Sequence, residues 1–236
     1  MISTIPSSKR HHGQFGWLDA HWHFSFGDYY DPRNLNWGAL RVFNDDTIHG
    51  GGGFDLHPHN DMEIVTVVYQ GQLRHQDDLG NSGIIHPGEV QVMSAGTGIV
   101  HAEHNNSPTE PLRLLQIWII PRHKSNPPRW EQKQFEPTAR IGKLLPVVSG
   151  GDIPGTLRID QQAAIYLSTL RPGDHVTHNL AARRKAYLFV VSGKIVLNGS
   201  PFSAGDQARI DQEARLSIEA PSDASGNAEL ILLDLP

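Results

Sequence analysis

The chain has 236 residues, 38% hydrophobic and 19% charged, with 23 Gly, 16 Pro and a formal net charge of -5; that balance fits a turn-rich β protein of one large or two small domains better than a helical bundle. It has no cysteine, which excludes disulfides, thiolate nucleophiles and Cys-ligated zinc or iron–sulfur centres. No block of basic residues stands out, so nucleic acid is not an expected partner.

The first twenty residues, MISTIPSSKRHHGQFGWLDA, lack the apolar segment of a secretion signal, and no uninterrupted 18-residue apolar run follows. A soluble cytoplasmic protein without membrane contact is expected. In AHWHFSF, His21 and His23 are two apart. No second pair accompanies them, and Trp22, Phe24 and Phe26 indicate a strand packed on the core. Gly50 to Gly53 have no helix start or Lys-Ser/Thr behind them, so they read as a turn rather than a phosphate cradle. They lead into HPHNDMEI, residues 57–64, where Asn60 and Asp61 read as turn or rim residues.

Short strand-like runs follow: EIVTVVYQG (63–71), GEVQVMSAG (88–96) and LRLLQIWII (112–120), each bounded by Gly or Pro. Met93 and Trp118 within them read as core. The stretch PRHKSNPPRWEQKQFEP (121–137) is polar and proline-rich and reads as a connector. Strand-like runs resume with AIYLSTLRPGD (164–174), AYLFVVSGKIVLNG (186–199), ARLSIEA (214–220) and AELILLDL (228–235). The halves echo each other. EIVTVVYQGQLRHQD parallels AYLFVVSGKIVLNG, an apolar strand, a one-glycine turn and an outgoing strand, and HPGEVQVMSAG parallels FSAGDQARI. The expected fold is all-β, two similar barrels or sandwiches with few short helices, one over residues 1–125 and one over 126–236.

Of the 14 histidines, only His175 and His178 lie beyond residue 123, which places metal or acid–base chemistry in the N-terminal half. Side chains two apart in a strand share a face. His57 and His59 are such a pair, and so are His101 and Glu103 in SAGTGIVHAEHN. If both pairs look into one barrel, three neutral imidazoles and a carboxylate converge, a set suited to a divalent first-row metal with positions left open. His104 falls on the opposite face. No spacing argument selects His75 or His86. His175 and His178 are three apart and no His-x-Glu follows them, so the second domain is expected to lack a metal site.

From Gly51 the chain reads G-x5-H-x-H-x3-E, ending on Glu63, with Gly71 one position later than the first cupin motif places it. Gly98-x2-His101-x3-Asn105 resembles the second cupin motif, with Gly96 where Pro is usual and the upstream Gly absent. The longer stretches GWLDAHWHFSFGDYYDP, LRVFNDD, HPHNDMEI, MSAGTGIVHAEHN and LQIWIIP resemble the pirin family, a bicupin group. The likeness spans nearly the whole chain, is strongest over residues 15–121, and is closest to bacterial pirins similar to quercetin 2,3-dioxygenases.

That resemblance implies two tandem jelly-roll cupin barrels, the first with a metal and the second without. It implies His57, His59, His101 and Glu103 as ligands. Glu63, in the carboxylate position of the first cupin motif and placed by strand parity on the face of His57 and His59, is then left to orient an imidazole, whereas the general cupin pattern makes Glu63 itself a ligand. The implied cofactor is one divalent transition metal, iron(II) first, with Zn, Cu, Ni, Co and Mn as alternatives. The implied activity is cleavage of a flavonol such as quercetin by O2, with Glu103 as the base that accepts the flavonol proton. Some pirins are instead metal-bearing, redox-sensitive regulators that act through protein partners, and the same four ligands serve that reading.

Overall fold

The computed structural model describes residues 1–236. Each strand-like run becomes one strand or a pair of strands, because Val, Ile, Leu and aromatic side chains suit a pleated, buried surface. Helix is confined to two 3₁₀ turns, Ser7–Lys9 and Pro137–Arg140. No helix is long and apolar enough to cross a membrane. The strands build two compact units. One comprises Arg10–Phe135 with Leu157–Gln161, and the other Met1–Lys9, Glu136–Thr156 and Gln162–Pro236.

In the first unit a seven-stranded antiparallel sheet runs in the order Arg129–Gln134, Glu89–Ser94, Glu63–Gln70, Leu112–Ile119, Leu40–Ile48, Leu18–Trp22, His11–Gln14. A four-stranded sheet has the order Gly53–His59, Ile99–Asn105, Leu73–Asp77, Ser82–Ile85. The two sheets enclose a common core in which Trp22, Ile48, Val68, Leu112 and Leu114 of the larger meet Leu73 and Ile85 of the smaller. This closure is that of a cupin barrel.

The connector expected over 121–137 contains a strand. Arg129–Gln134 has no proline and pairs with Glu89–Ser94 along the sheet's edge, where its polar outward residues meet solvent. Polar composition made an edge strand look like a loop. The first unit therefore runs on to Phe135, past the expected 125/126 boundary, and the first nine residues pack with the second unit.

In the second unit Ile2–Ile5, Gln207–Asp211, Lys185–Ser192, Ala228–Leu235, Ala164–Leu170 and Leu145–Ser149 follow one another in the larger sheet. The smaller sheet has the order His175–Asn179, Arg215–Glu219, Lys194–Leu197, Ser200–Ser203. The internal echo is a structural repeat. Gly71 and Gly193 end corresponding strands with φ of 75° and 76°. A Cβ on Gly71 would stand 2.6 Å from the Pro111 carbonyl oxygen, and one on Gly193 2.6 Å from that of Asn227. Both turns need the left-handed conformation and the missing side chain. In this second barrel Val176, Leu216 and Ile218 join the apolar core, on the strand pair equivalent to the one that carries histidines in the first.

Candidate metal centre

The turn at Gly50–Gly52 delivers the chain into a tight crossing. A Cβ on Gly53 would lie 2.6 Å from His104 Cα and 2.7 Å from the Glu103 carbonyl oxygen, so only glycine lets the two strands approach here. Pairing then sets His57 directly opposite His101 and His59 opposite Ile99. Beyond His57 the register shifts, with Glu103 opposite Phe54, so Asp55 and Leu56 together face Ala102. Such a bulge re-aims side chains without ending the strand.

The three imidazoles form a triangle. Ring centroids lie 4.4 Å apart for His57 and His101, 4.8 Å for His57 and His59, and 4.9 Å for His59 and His101. One nitrogen from each ring lies within 4.8 Å of the others. The Nδ1 of His57 is 2.7 Å from the Asp55 carbonyl oxygen; that nitrogen donates, which leaves the lone pair on Nε2. His101 Nδ1 is 3.5 Å from His75 Nδ1, and His75 Nε2 is 3.3 Å from Asp77 Oδ2. A carboxylate–imidazole chain thus stands behind His101, whose Nε2 is buried without a hydrogen-bond partner.

Burial, with the charges of His57 and His75, lowers the pKa of His101 to about 3, and burial, with His101 and His57, lowers that of His59 to about 4. Both rings are neutral at pH 7 and keep a lone pair for a Lewis acid. Neutral imidazoles and an orphaned buried nitrogen fit a divalent metal.

Glu103 is 2% exposed. Its Oε1 accepts from Gln91 Nε2 at 2.8 Å and its Oε2 from Gln116 Nε2 at 2.7 Å. A carboxylate offers about four acceptor positions, so two remain. Glu103 groups within 4.8 Å of His75 and His101 and lines the same cleft as His57 and His59. Its amide donors belong to a row across the larger sheet: Gln91, Thr66, Gln116 and Asn44 stand opposite one another on adjacent strands. Thr66 Oγ1 donates to Gln116 Oε1 at 3.0 Å and accepts from Gln91 Nε2 at 3.2 Å, while Trp130 Nε1 donates to Gln91 Oε1 at 2.8 Å. The row appears in the sequence only as isolated polar residues inside apolar strands.

The cleft measures about 120 Å³, and Phe26, Phe54 and Trp118 form its aromatic wall. Met93 is core, as expected. Trp118 is not simply core: it borders the cleft and stands edge-on to His59 at 4.8 Å. Asp46 also faces the cleft. Burial, with the charges of Asp45 and Glu103, pushes its carboxyl well above the usual range. Its neighbour Asp45 points to the other face of the strand. There burial acts upward, but the hydrogen bond and charge of Arg113 and the charge of Arg10 outweigh it and hold the carboxyl low.

Glu63 does not orient an imidazole. Its carboxylate accepts from Ser94 Oγ at 2.6 Å. It sits on a strand of the larger sheet, beyond a turn in which Asp61 has φ of 45°, so the face parity of His57 and His59 does not carry across to it. Ile64, the next residue, faces the cleft instead. The imidazole of His101 instead has His75 as its neighbour, at 3.5 Å. Asn60 and Asp61 are turn residues, as expected: Asn60 donates to the Thr97 carbonyl, and Asp61 Oδ1 accepts from the Ser125 amide. His104 faces away and pairs with Asp55 at 3.2 Å. His23 is buried and stacks on Phe43, whereas His21 lies at the surface.

Comparison with known proteins agrees with this architecture. The Pirin family profile matches residues 6–119, and that of the quercetinase C-terminal cupin domain matches residues 146–235. A protein of Escherichia coli K12 named quercetin 2,3-dioxygenase is 44% identical over 237 residues, covering 100% of this chain and 99% of the relative. A pirin-like protein of Caulobacter vibrioides is 46% identical over 235 residues, covering 99% of both. Among solved structures, YhhW from Escherichia coli superposes with a TM-score of 0.94 at 41% identity, over 100% of this chain and 98% of that one. The bacterial pirin YhhW in complex with nickel(II) gives 0.93 at 42%, over 100% and 99%. Sequence, fold and relatives coincide: the chain belongs to the pirin family.

Proposed function

We propose that this protein is a pirin-type quercetin 2,3-dioxygenase that holds one divalent metal, iron(II), through His57, His59, His101 and Glu103. The convergence of three imidazoles and a buried carboxylate in an aromatic-walled cleft carries this reading. The 44% identity to a protein named quercetin 2,3-dioxygenase supports it.

His57, His59, His101 and Glu103 would hold the metal, whose positive charge would favour the deprotonated form of a flavonol hydroxyl. His57 and His101 present Nε2 lone pairs, fixed by the Asp55 carbonyl and by the His75–Asp77 chain. Glu103 takes the flavonol proton on a carboxylate oxygen, and Gln91 and Gln116 hold that carboxylate in one plane. Asp46, whose burial disfavours the charged carboxylate, faces the same cleft as a polar contact for the substrate. Phe26, Phe54 and Trp118 provide ring surfaces for a planar ligand. The overall reaction converts flavonol and O2 to a depside and carbon monoxide. The second unit, with Val176, Leu216 and Ile218 in its core, serves as scaffold and holds no metal.

The test is to load the purified protein with each metal in turn, add quercetin under air, and follow loss of the flavonol absorbance and release of carbon monoxide. Turnover that disappears in His59→Ala is expected. A protein that binds metal stoichiometrically yet turns over no flavonol with Fe, Cu, Ni, Co or Mn contradicts the enzyme and favours a regulator acting through protein partners.

A further inference from the structure

His21 has a histidine neighbour after all, across a hairpin rather than two residues along. The strands His11–Gln14 and Leu18–Trp22 pair antiparallel with His12 opposite His21 and Gln14 opposite Asp19. Parity puts all four side chains on one face. His12 Nε2 lies 3.0 Å from Asp19 Oδ1, and His21 Nδ1 lies 3.7 Å from the same oxygen. The two rings stack with centroids 4.5 Å apart at 9°. One ligand atom from each of the three residues lies within 4.8 Å of the others.

We propose that His12, Asp19 and His21 form a second divalent-metal site on the outer face of this hairpin. Metal–nitrogen and metal–oxygen distances of about 2.0–2.2 Å set adjacent ligands roughly 3 Å apart; His12 Nε2 and Asp19 Oδ1 already stand at that spacing, and His21 closes on the ion by turning its ring out of the stack on His12. Gln14 Nε2 donates to Asp19 Oδ2 at 3.1 Å, which turns Oδ1 toward the rings, as a supporting partner of a ligand does. The neighbouring cation, Arg10, is engaged by Asp45 at 3.0 Å.

The hairpin is braced from its other face. Trp22 stacks on His11 at 5.3 Å and on Phe15 at 5.7 Å, and His11 stacks in turn on Tyr29 at 4.4 Å. A stiff hairpin holds its donors in register before the ion arrives. The side chains of His12, Asp19 and His21 are 45%, 30% and 32% exposed, so the site is open to solvent and keeps positions for water. Two imidazoles and a carboxylate suit zinc(II), nickel(II) or copper(II).

This site lies across the sheet from the cleft and does not depend on the function proposed for it. Metal-stripped full-length protein is titrated with zinc chloride, desalted and assayed for bound zinc. Wild type is expected to keep two equivalents, His57→Ala/His59→Ala one, and that variant with His21→Ala added none. His21→Ala or Asp19→Asn alone is expected to keep one, with flavonol turnover unchanged. Failure of the cleft to bind would remove only the equivalent that is insensitive to His21→Ala. If His57→Ala/His59→Ala holds no zinc while folded by circular dichroism, or if His21→Ala and Asp19→Asn leave the count unchanged, the second site is overturned.

Discussion

Gln116 donates to Glu103 across 2.7 Å, from a strand of the sheet opposite the one that carries the carboxylate. Glu103 is therefore positioned from both sides of the barrel: its own strand brings it to the cleft, and the opposite sheet fixes its plane. Replacing Gln116 by Leu removes that donor and leaves a buried carboxylate oxygen without its partner. The expected loss is about 1–3 kcal/mol in stability, read by urea unfolding of the metal-free protein. Turnover is expected to fall about 10- to 100-fold, as for other supporting partners of a metal site. Because Gln91 serves the same carboxylate, the losses in Gln91→Leu/Gln116→Leu should not add.

His75 separates a ligand from an orienter. It contacts His101 through Nδ1 and Asp77 through Nε2, and it stacks on Trp130 at 5.3 Å. If it fixes the tautomer of His101, His75→Phe weakens metal binding by about 10- to 100-fold without abolishing it. Chelator competition reads the dissociation constant. A loss as complete as that in His59→Ala would make His75 a ligand.

The metal-free protein should lose stability in acid over a defined window. Burial holds His101 at about 3 and His59 at about 4, both below the unfolded value of about 6.5. Between those values the unfolded chain binds protons that the folded chain does not. Stability attributable to these rings is full above pH 6.5 and falls as the pH drops toward 4 and then 3. Unfolding midpoints of wild type and His59→Ala/His101→Ala across pH 3–7 check this, with a shallower slope expected in the variant.

Gly53 controls the approach of the strands that carry His57 and His59 on one side and His101 and Glu103 on the other. Gly53→Ala places a Cβ within 2.7 Å of the Glu103 carbonyl oxygen and the His104 backbone. Overpacking of this kind costs about 1–3 kcal/mol. The strand carrying Glu103 must shift, so turnover is expected to fall more than metal content. Thermal unfolding and zinc stoichiometry on the same preparation read the two effects.

What the sequence disclosed of the site follows from the range of each rule. His57 with His59, and His101 with Glu103, are local pairs, and strand parity needs only two residues to put a pair on one face. The row Gln91–Thr66–Gln116–Asn44 depends on register between strands far apart in the chain, which no local spacing encodes. Glu63 misled because parity was carried through the turn at Asp61 into a different sheet. Arg129–Gln134 was hidden because an edge strand is allowed a polar composition. His12 and His21 are nine positions apart and meet only once the hairpin closes. The internal echo was legible because Gly71 and Gly193 each mark a turn that excludes other residues.

The most direct measurement is anomalous diffraction from crystals loaded with iron(II) or nickel(II), recorded at the metal's absorption edge for wild type and His59→Ala. A peak among His57, His59, His101 and Glu103 is expected in wild type and not in the variant, whose circular dichroism and backbone should be unchanged. An empty cleft at saturating metal, or a peak that persists there in His59→Ala, would contradict the four-ligand centre.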